Sequence, residues 1–151
     1  MTKKLRDELI GAWKLLSYVE NPVDGSPTVH PLGRDASGIT LYTPDGWVSA
    51  QLMGGGRRHF ALGDWFRGTA EEYRQEASTY IAYSGSFSVD EEKKTVTHSM
   101  FMSLFPNWTE LTQTRDIKLE RDTLHLSTPV PILSGGKRVI SYLEWRRAER
   151  Q

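Results

Sequence analysis

The sequence contains no cysteine, which excludes disulfides and thiolate-held metals. Neither charge is in excess. Lys and Arg number 19 and so do Asp and Glu, so no net field gathers polyanions, and neither nucleic acid nor membrane is expected as a partner. No apolar run approaches a membrane span, and the opening stretch MTKKLRDELIG lacks the apolar core of a secretory signal, so a cytoplasmic protein is expected. His30, His59, His98 and His125 lack ligand spacing, and no metal is expected. Gly54-Gly55-Gly56 is not followed by the Lys-Ser/Thr of a phosphate loop, and no cofactor is expected. Internal repeats, linkers and shifts of composition are also missing, so residues 1–151 are expected to form one domain.

What remains is an ordinary globular balance, 38% hydrophobic and 25% charged, with a generous five Trp and six Tyr that can fill a core or line a pocket. Residues 3–10 read as a short helix ended by Gly11. Gly11–Glu20 reads as a first strand, with Trp13, Leu15, Ser17 and Val19 inside and Lys14 and Glu20 outside. Gly38–Thr43 and Trp47–Met53 flank the turn Thr43-Pro44-Asp45-Gly46. Alternation alone leaves the facing of Trp47–Met53 open. Either Val48, Ala50 and Leu52 are core, or Trp47, Ser49, Gln51 and Met53 line a polar pocket. Residues 54–68 read as a surface loop or as a lid closed by Phe60, Trp65 and Phe66. Thr69-Ala70-Glu71-Glu72 is a capping box, and Ala70, Tyr73, Ala77 and Tyr80 share one face of the helix it starts, a face expected to pack on the sheet.

Alternation resumes at Tyr83–Val89 and reaches its clearest form in the hairpin Thr95–Leu119. Thr112, Thr114, Asp116 and Lys118 form a solvent face. Gln113 and Arg115 are thereby carried inward with Leu111, Ile117 and Leu119. On the other arm Val96, His98, Met100 and Met102 share a face. Burying such polar groups without partners costs about 2–7 kcal/mol for a neutral group and more for a charge. They must meet each other, water or a ligand. Later, Leu124 and Leu126 face in, residues 129–136 form a loop, and Val139, Ser141, Leu143 and Trp145 complete the inner face.

About eight alternating strands with short connections imply an antiparallel sheet with one wet face. Closing it into a barrel removes its exposed edges and leaves an interior that side chains fill or one small ligand occupies. The residues also carry a resemblance. Gly11-Ala12-Trp13 with Trp145-Arg146-Arg147 resembles the calycin pattern, in which a tryptophan closes one barrel end beneath a late arginine. Pro31-Leu32-Gly33, Leu41-Tyr42-Thr43-Pro44-Asp45-Gly46, Ser49-Ala50-Gln51-Leu52, Tyr80-Ile81-Ala82-Tyr83 and Ser103-Leu104-Phe105-Pro106-Asn107-Trp108 resemble the bacterial and fungal lipocalin-like domain family, over about residues 9–147. The expected fold is an eight-stranded antiparallel lipocalin-like (calycin) β-barrel with one inserted α-helix and a short N-terminal helix. The resemblance also implies natural-product chemistry, since some related barrels act as cyclases or isomerases.

The candidate catalytic residues are His98, Arg115 and Tyr83. A guanidinium in a cavity suits a carbonyl, enolate or carboxylate oxygen, and His98 or Tyr83 could relay a proton. The bland readings are a self-satisfied polar network for Arg115 with Gln113 and a core histidine for His98. Candidate ligand-binding residues are Gln51, Phe87, Met100, Trp108, Gln113, Ser141 and Trp145. Trp108 is a gate or a turn anchor. A nucleophile triad is not expected, because no Asp or Glu falls on the predicted inner face. The expected function is a barrel for a small hydrophobic or amphipathic ligand acting as a cofactor-independent cyclase or isomerase. The alternatives are a non-catalytic carrier or sensor and a filled structural module; a homodimer through exposed aromatics is also considered.

Overall fold

A computed structural model describes residues 3–151. The chain runs α1 (Leu5–Leu9), β1 (Gly11–Pro22), β2 (Ser37–Tyr42), β3 (Trp47–Met53), α2 (Ala70–Ser78), β4 (Tyr80–Asp90) and β5 (Thr95–Ser103). It continues through a 3-10 turn (Pro106–Trp108), β6 (Thr112–Glu120), β7 (Thr123–Ser127), β8 (Ile132–Ser134) and β9 (Lys137–Arg147). Each of β1 to β6 pairs antiparallel with the next, β7 pairs with β9, and β9 pairs back onto β1, closing the barrel. The short β8 was read as loop in the sequence. It lies beside Lys137–Val139 of β9, while β7 lies beside Tyr142–Arg146 of the same strand, so one stave of eight is built in two pieces.

The two ends differ. At one end α1 plugs the barrel: Leu9 and Trp13 are fully buried and the Trp13 indole N–H donates to the Leu9 carbonyl. The Arg147 guanidinium lies 4.1 Å from the Trp13 ring and donates to the carbonyls of Ile10 and Glu8. Gly11 is required there, because its φ is 126° and a Cβ would sit 3.1 Å from the Arg147 guanidinium. The other end carries the long connections and is open.

The facing of β3 is settled: Val48, Ala50 and Leu52 are buried and Gln51 is exposed. Two bulges alter the predicted alternation elsewhere. In β1, Leu15 opposes Trp145 and Ser17 opposes Glu144, leaving Leu16 unpaired and exposed. The strand changes phase there. Ser17 and Val19 turn outward, while Tyr18 and Glu20 turn inward, and Glu20 is only 3% exposed. In β5, Met100 and Met102 oppose the adjacent Gly85 and Ser84, so Phe101 is the extra residue and Met102 faces out. The tight crossing there depends on Gly85, whose Cβ would lie 2.0 Å from the Ser99 carbonyl oxygen.

Thr69 and Glu72 form the expected capping box. The helix ends at Ser78, however, and buries no residue against the sheet. Its Tyr73 packs on its own loop instead, 5.5 Å from Phe60 and donating to the Trp65 carbonyl. Ala70 and Ala77 stay exposed, so the face that the spacing assigns to the sheet is not buried there. Trp65 and Phe66 are exposed and do not close over the interior. Among the described residues no helix is long and apolar enough to cross a membrane.

Candidate functional site

Toward the open end the barrel holds a cavity of about 240 Å³. Apolar walls come from Leu52, Ile81, Leu126, Ile132, Leu143 and the Trp145 ring, and Trp108 stands at the mouth. The volume is below the roughly 300–1,000 Å³ of drug-sized sites, so it suits a compact ligand. Of the sequence candidates, His98, Arg115, Tyr83, Gln113, Ser141, Trp108 and Trp145 all line it. Three do not. Gln51 is on the outer face and accepts from Tyr80, because β3 places its even-numbered residues inside. Phe87 is core, in an edge-on contact with Tyr42 at 4.9 Å and with the Arg6 guanidinium 5.1 Å from its ring. Met100 is buried beside the β5 bulge and does not reach the cavity wall.

The donor side of the cavity belongs to β6. Arg115 donates to the Gln113 side-chain oxygen at 2.8 Å and to the Thr114 carbonyl at 3.0 Å. A guanidinium has five N–H groups, so three are left for other acceptors, and the amide nitrogen of Gln113 is left as a donor. Burial lowers the Arg115 pKa from its ordinary value, against the opposing influence of Tyr83, Tyr18 and Tyr42; it remains a cation. Among the described residues, the Trp145 indole N–H is a fully buried donor with no hydrogen-bond partner. Such an orphan donor costs about 1–3 kcal/mol, and this one lies behind the cavity surface rather than on it.

His98 lies behind this surface. One ring nitrogen is 2.8 Å from the Tyr42 hydroxyl and the other 3.4 Å from the Tyr83 hydroxyl. Burial, helped by the Arg115 cation, lowers its pKa to about 3. At neutral pH it is an uncharged link between two tyrosines, and a poor base. Burial raises the Tyr83 phenol and, more strongly, that of Tyr42.

The sequence reading missed a carboxylate. Glu20, turned inward by the β1 bulge, lines the cavity and is the one anionic group among the lining residues. Its Oε2 accepts from Ser141 at 2.9 Å and Tyr18 at 3.2 Å, and its Oε1 accepts from Ser134 of β8 at 2.7 Å. Burial first, and the adjacent Glu20 second, raise the Tyr18 phenol. No salt bridge joins Glu20 to Arg115, although Tyr18 feels both. The cavity therefore has two separate poles, a donor pole on β6 and an acceptor pole on β1, set in an apolar wall.

The comparisons with known proteins agree with this architecture. The family model described as a lipocalin-like domain matches residues 10–148. The chain is 36% identical over 109 residues to a 4'-hydroxy-3'-methoxypropiophenone carrier protein of Aspergillus oryzae, an alignment covering 68% of this chain and 98% of that one. No solved structure gives a significant match.

Proposed function

The chain belongs to the lipocalin-like domain family, and from that premise and the cavity we infer that it binds a compact aromatic ketone or a closely related oxygen-bearing metabolite and carries it in the barrel. The observation that carries this reading is the donor surface formed by Arg115 and Gln113 in a largely apolar cavity of about 240 Å³. A carbonyl oxygen accepts from the remaining N–H groups of Arg115 and Gln113, and a single ring packs on the apolar walls. The named cargo of the Aspergillus oryzae relative, a propiophenone, has this chemistry.

Quenching of tryptophan fluorescence tests the reading, since Trp108 and Trp145 line the cavity. Titration with para-hydroxypropiophenone should saturate at one site per chain. Arg115→Met should weaken it by about tenfold or more, the worth of one charge-assisted hydrogen bond. Absence of saturable binding up to the solubility limit refutes an aryl ketone as cargo.

A second reading, a cofactor-independent cyclase or isomerase, is favoured by one observation. The Glu20 carboxylate and the Arg115 guanidinium face one cavity, with the Tyr18 hydroxyl within reach of both fields. In that reading Arg115 holds an enolate oxygen, and Tyr83 or His98 would have to move the proton. The low basicity of His98 weighs against it as the base, and conversion of bound ligand to product is the deciding assay. Pairing of two copies would use exposed aromatics such as Trp47 and Phe101, whose ring centroids lie 6.1 Å apart.

A further inference from the structure

We propose that Glu20 is a hydroxyl-reading subsite, which restricts the cargo to compact aromatic ketones bearing a free ring hydroxyl. The inference rests on the aryl-ketone reading above and adds to it the orientation and the discriminating group. A carboxylate offers about four acceptor positions. Tyr18 and Ser141 take both positions on Oε2, and Ser134 takes one on Oε1, so one acceptor position on Oε1 is unused on a residue that lines the cavity. At 3% exposure, bulk water does not fill it freely.

The two poles then fix which end goes where. The carbonyl oxygen takes the donors of Arg115 and Gln113, and the ring hydroxyl donates to Glu20. A hydroxyl beside a carboxylate is held in its neutral form, because a phenolate there meets a like charge. The reverse orientation puts the ring oxygen at Arg115, where the cation favours the phenolate. The orientations therefore differ in the ionisation state of the bound ligand.

The experiment compares para-hydroxypropiophenone with para-fluoropropiophenone, which is close in size but cannot donate. Affinities are measured by calorimetry on the full chain, and the absorption of the bound hydroxyl compound is recorded above the pH at which it ionises in water. We expect the hydroxyl compound to bind tighter by about tenfold or more. Its bound spectrum should remain that of the neutral phenol, and Glu20→Gln should largely abolish the preference. Equal affinity for the two compounds, or a phenolate spectrum in the complex, overturns the subsite while leaving the aryl-ketone reading standing. Failure of both compounds to bind overturns that reading and the subsite with it. Should Glu20→Gln not fold, the wild-type spectrum alone decides.

Discussion

Replacing His98 by Gln isolates one proton equilibrium that the fold has displaced. In the unfolded chain a histidine takes up its proton near pH 6.5, whereas in the barrel His98 does so only near pH 3. Between these values the unfolded state binds more protons, so protonation favours unfolding and stability falls as the pH is lowered. The contribution is complete above pH 6.5 and is lost progressively toward pH 3. Integrated between the two states, the loss from pH 8 to pH 5.5 is about 1.4 kcal/mol, a tenfold change in the unfolding constant. The limit below pH 3 is about 5 kcal/mol. With a urea slope of roughly 1–3 kcal/mol/M, the unfolding midpoint should fall by about 0.5–1.4 M over the upper window. Staying above pH 5.5 keeps carboxylate protonation out of the comparison. His98→Gln should be less stable at pH 8, since a buried link between Tyr42 and Tyr83 is weakened, yet its midpoint should lose most of this pH dependence. Parallel pH profiles for wild type and variant would refute the reasoning, because the displaced proton would then not be that of His98.

Three further outcomes follow from geometry. Gly85→Ala places a methyl 2.0 Å from the Ser99 carbonyl oxygen, a backbone atom, and should cost about 3 kcal/mol or more in chemical denaturation. Arg147→Ala removes the cation over Trp13 and the donors to the Ile10 and Glu8 carbonyls. It should cost about 2–3 kcal/mol while leaving ligand affinity at the far end of the barrel unchanged. Gln51→Ala lies outside the barrel wall and should leave para-hydroxypropiophenone affinity within error in the same fluorescence titration.

Where alternation is regular, the sequence is a good guide to the interior. Gln113 and Arg115 on β6, and Ser141 and Trp145 on β9, lie inside as their spacing requires, because neither strand is interrupted there. Errors arise where an extra residue shifts the phase. Leu15-Leu16 in β1 is a local sign, two adjacent leucines in an alternating strand, and reading through it sends Glu20 outward. Phe101 does the same to Met102. Phe87 and Met100 are inside but too far along the barrel to touch the cavity, a depth that facing alone does not encode. The pairing of Ser134 with Glu20 joins residues 114 positions apart and depends on three backbone events, namely the β1 bulge, barrel closure and the turn-back of β8.

The divided stave has a kinetic meaning. Beyond Ser127 the ladder on β9 ends with Thr128, whose hydroxyl accepts from the Ser141 amide. It does not resume until Ile132. Pro129 and Pro131 fall in the gap and have no amide hydrogens to leave unpaired. Detaching β8 breaks its three residue pairings and the Ser134–Glu20 hydrogen bond, and withdraws Ile132 and Leu133 from the cavity wall. The β1–β9 and β7–β9 pairings stay intact throughout. On the carrier reading, detaching β8 offers a cargo an exit that spares the β1–β9 and β7–β9 pairings, so residence time and global stability would rest on different parts of the molecule.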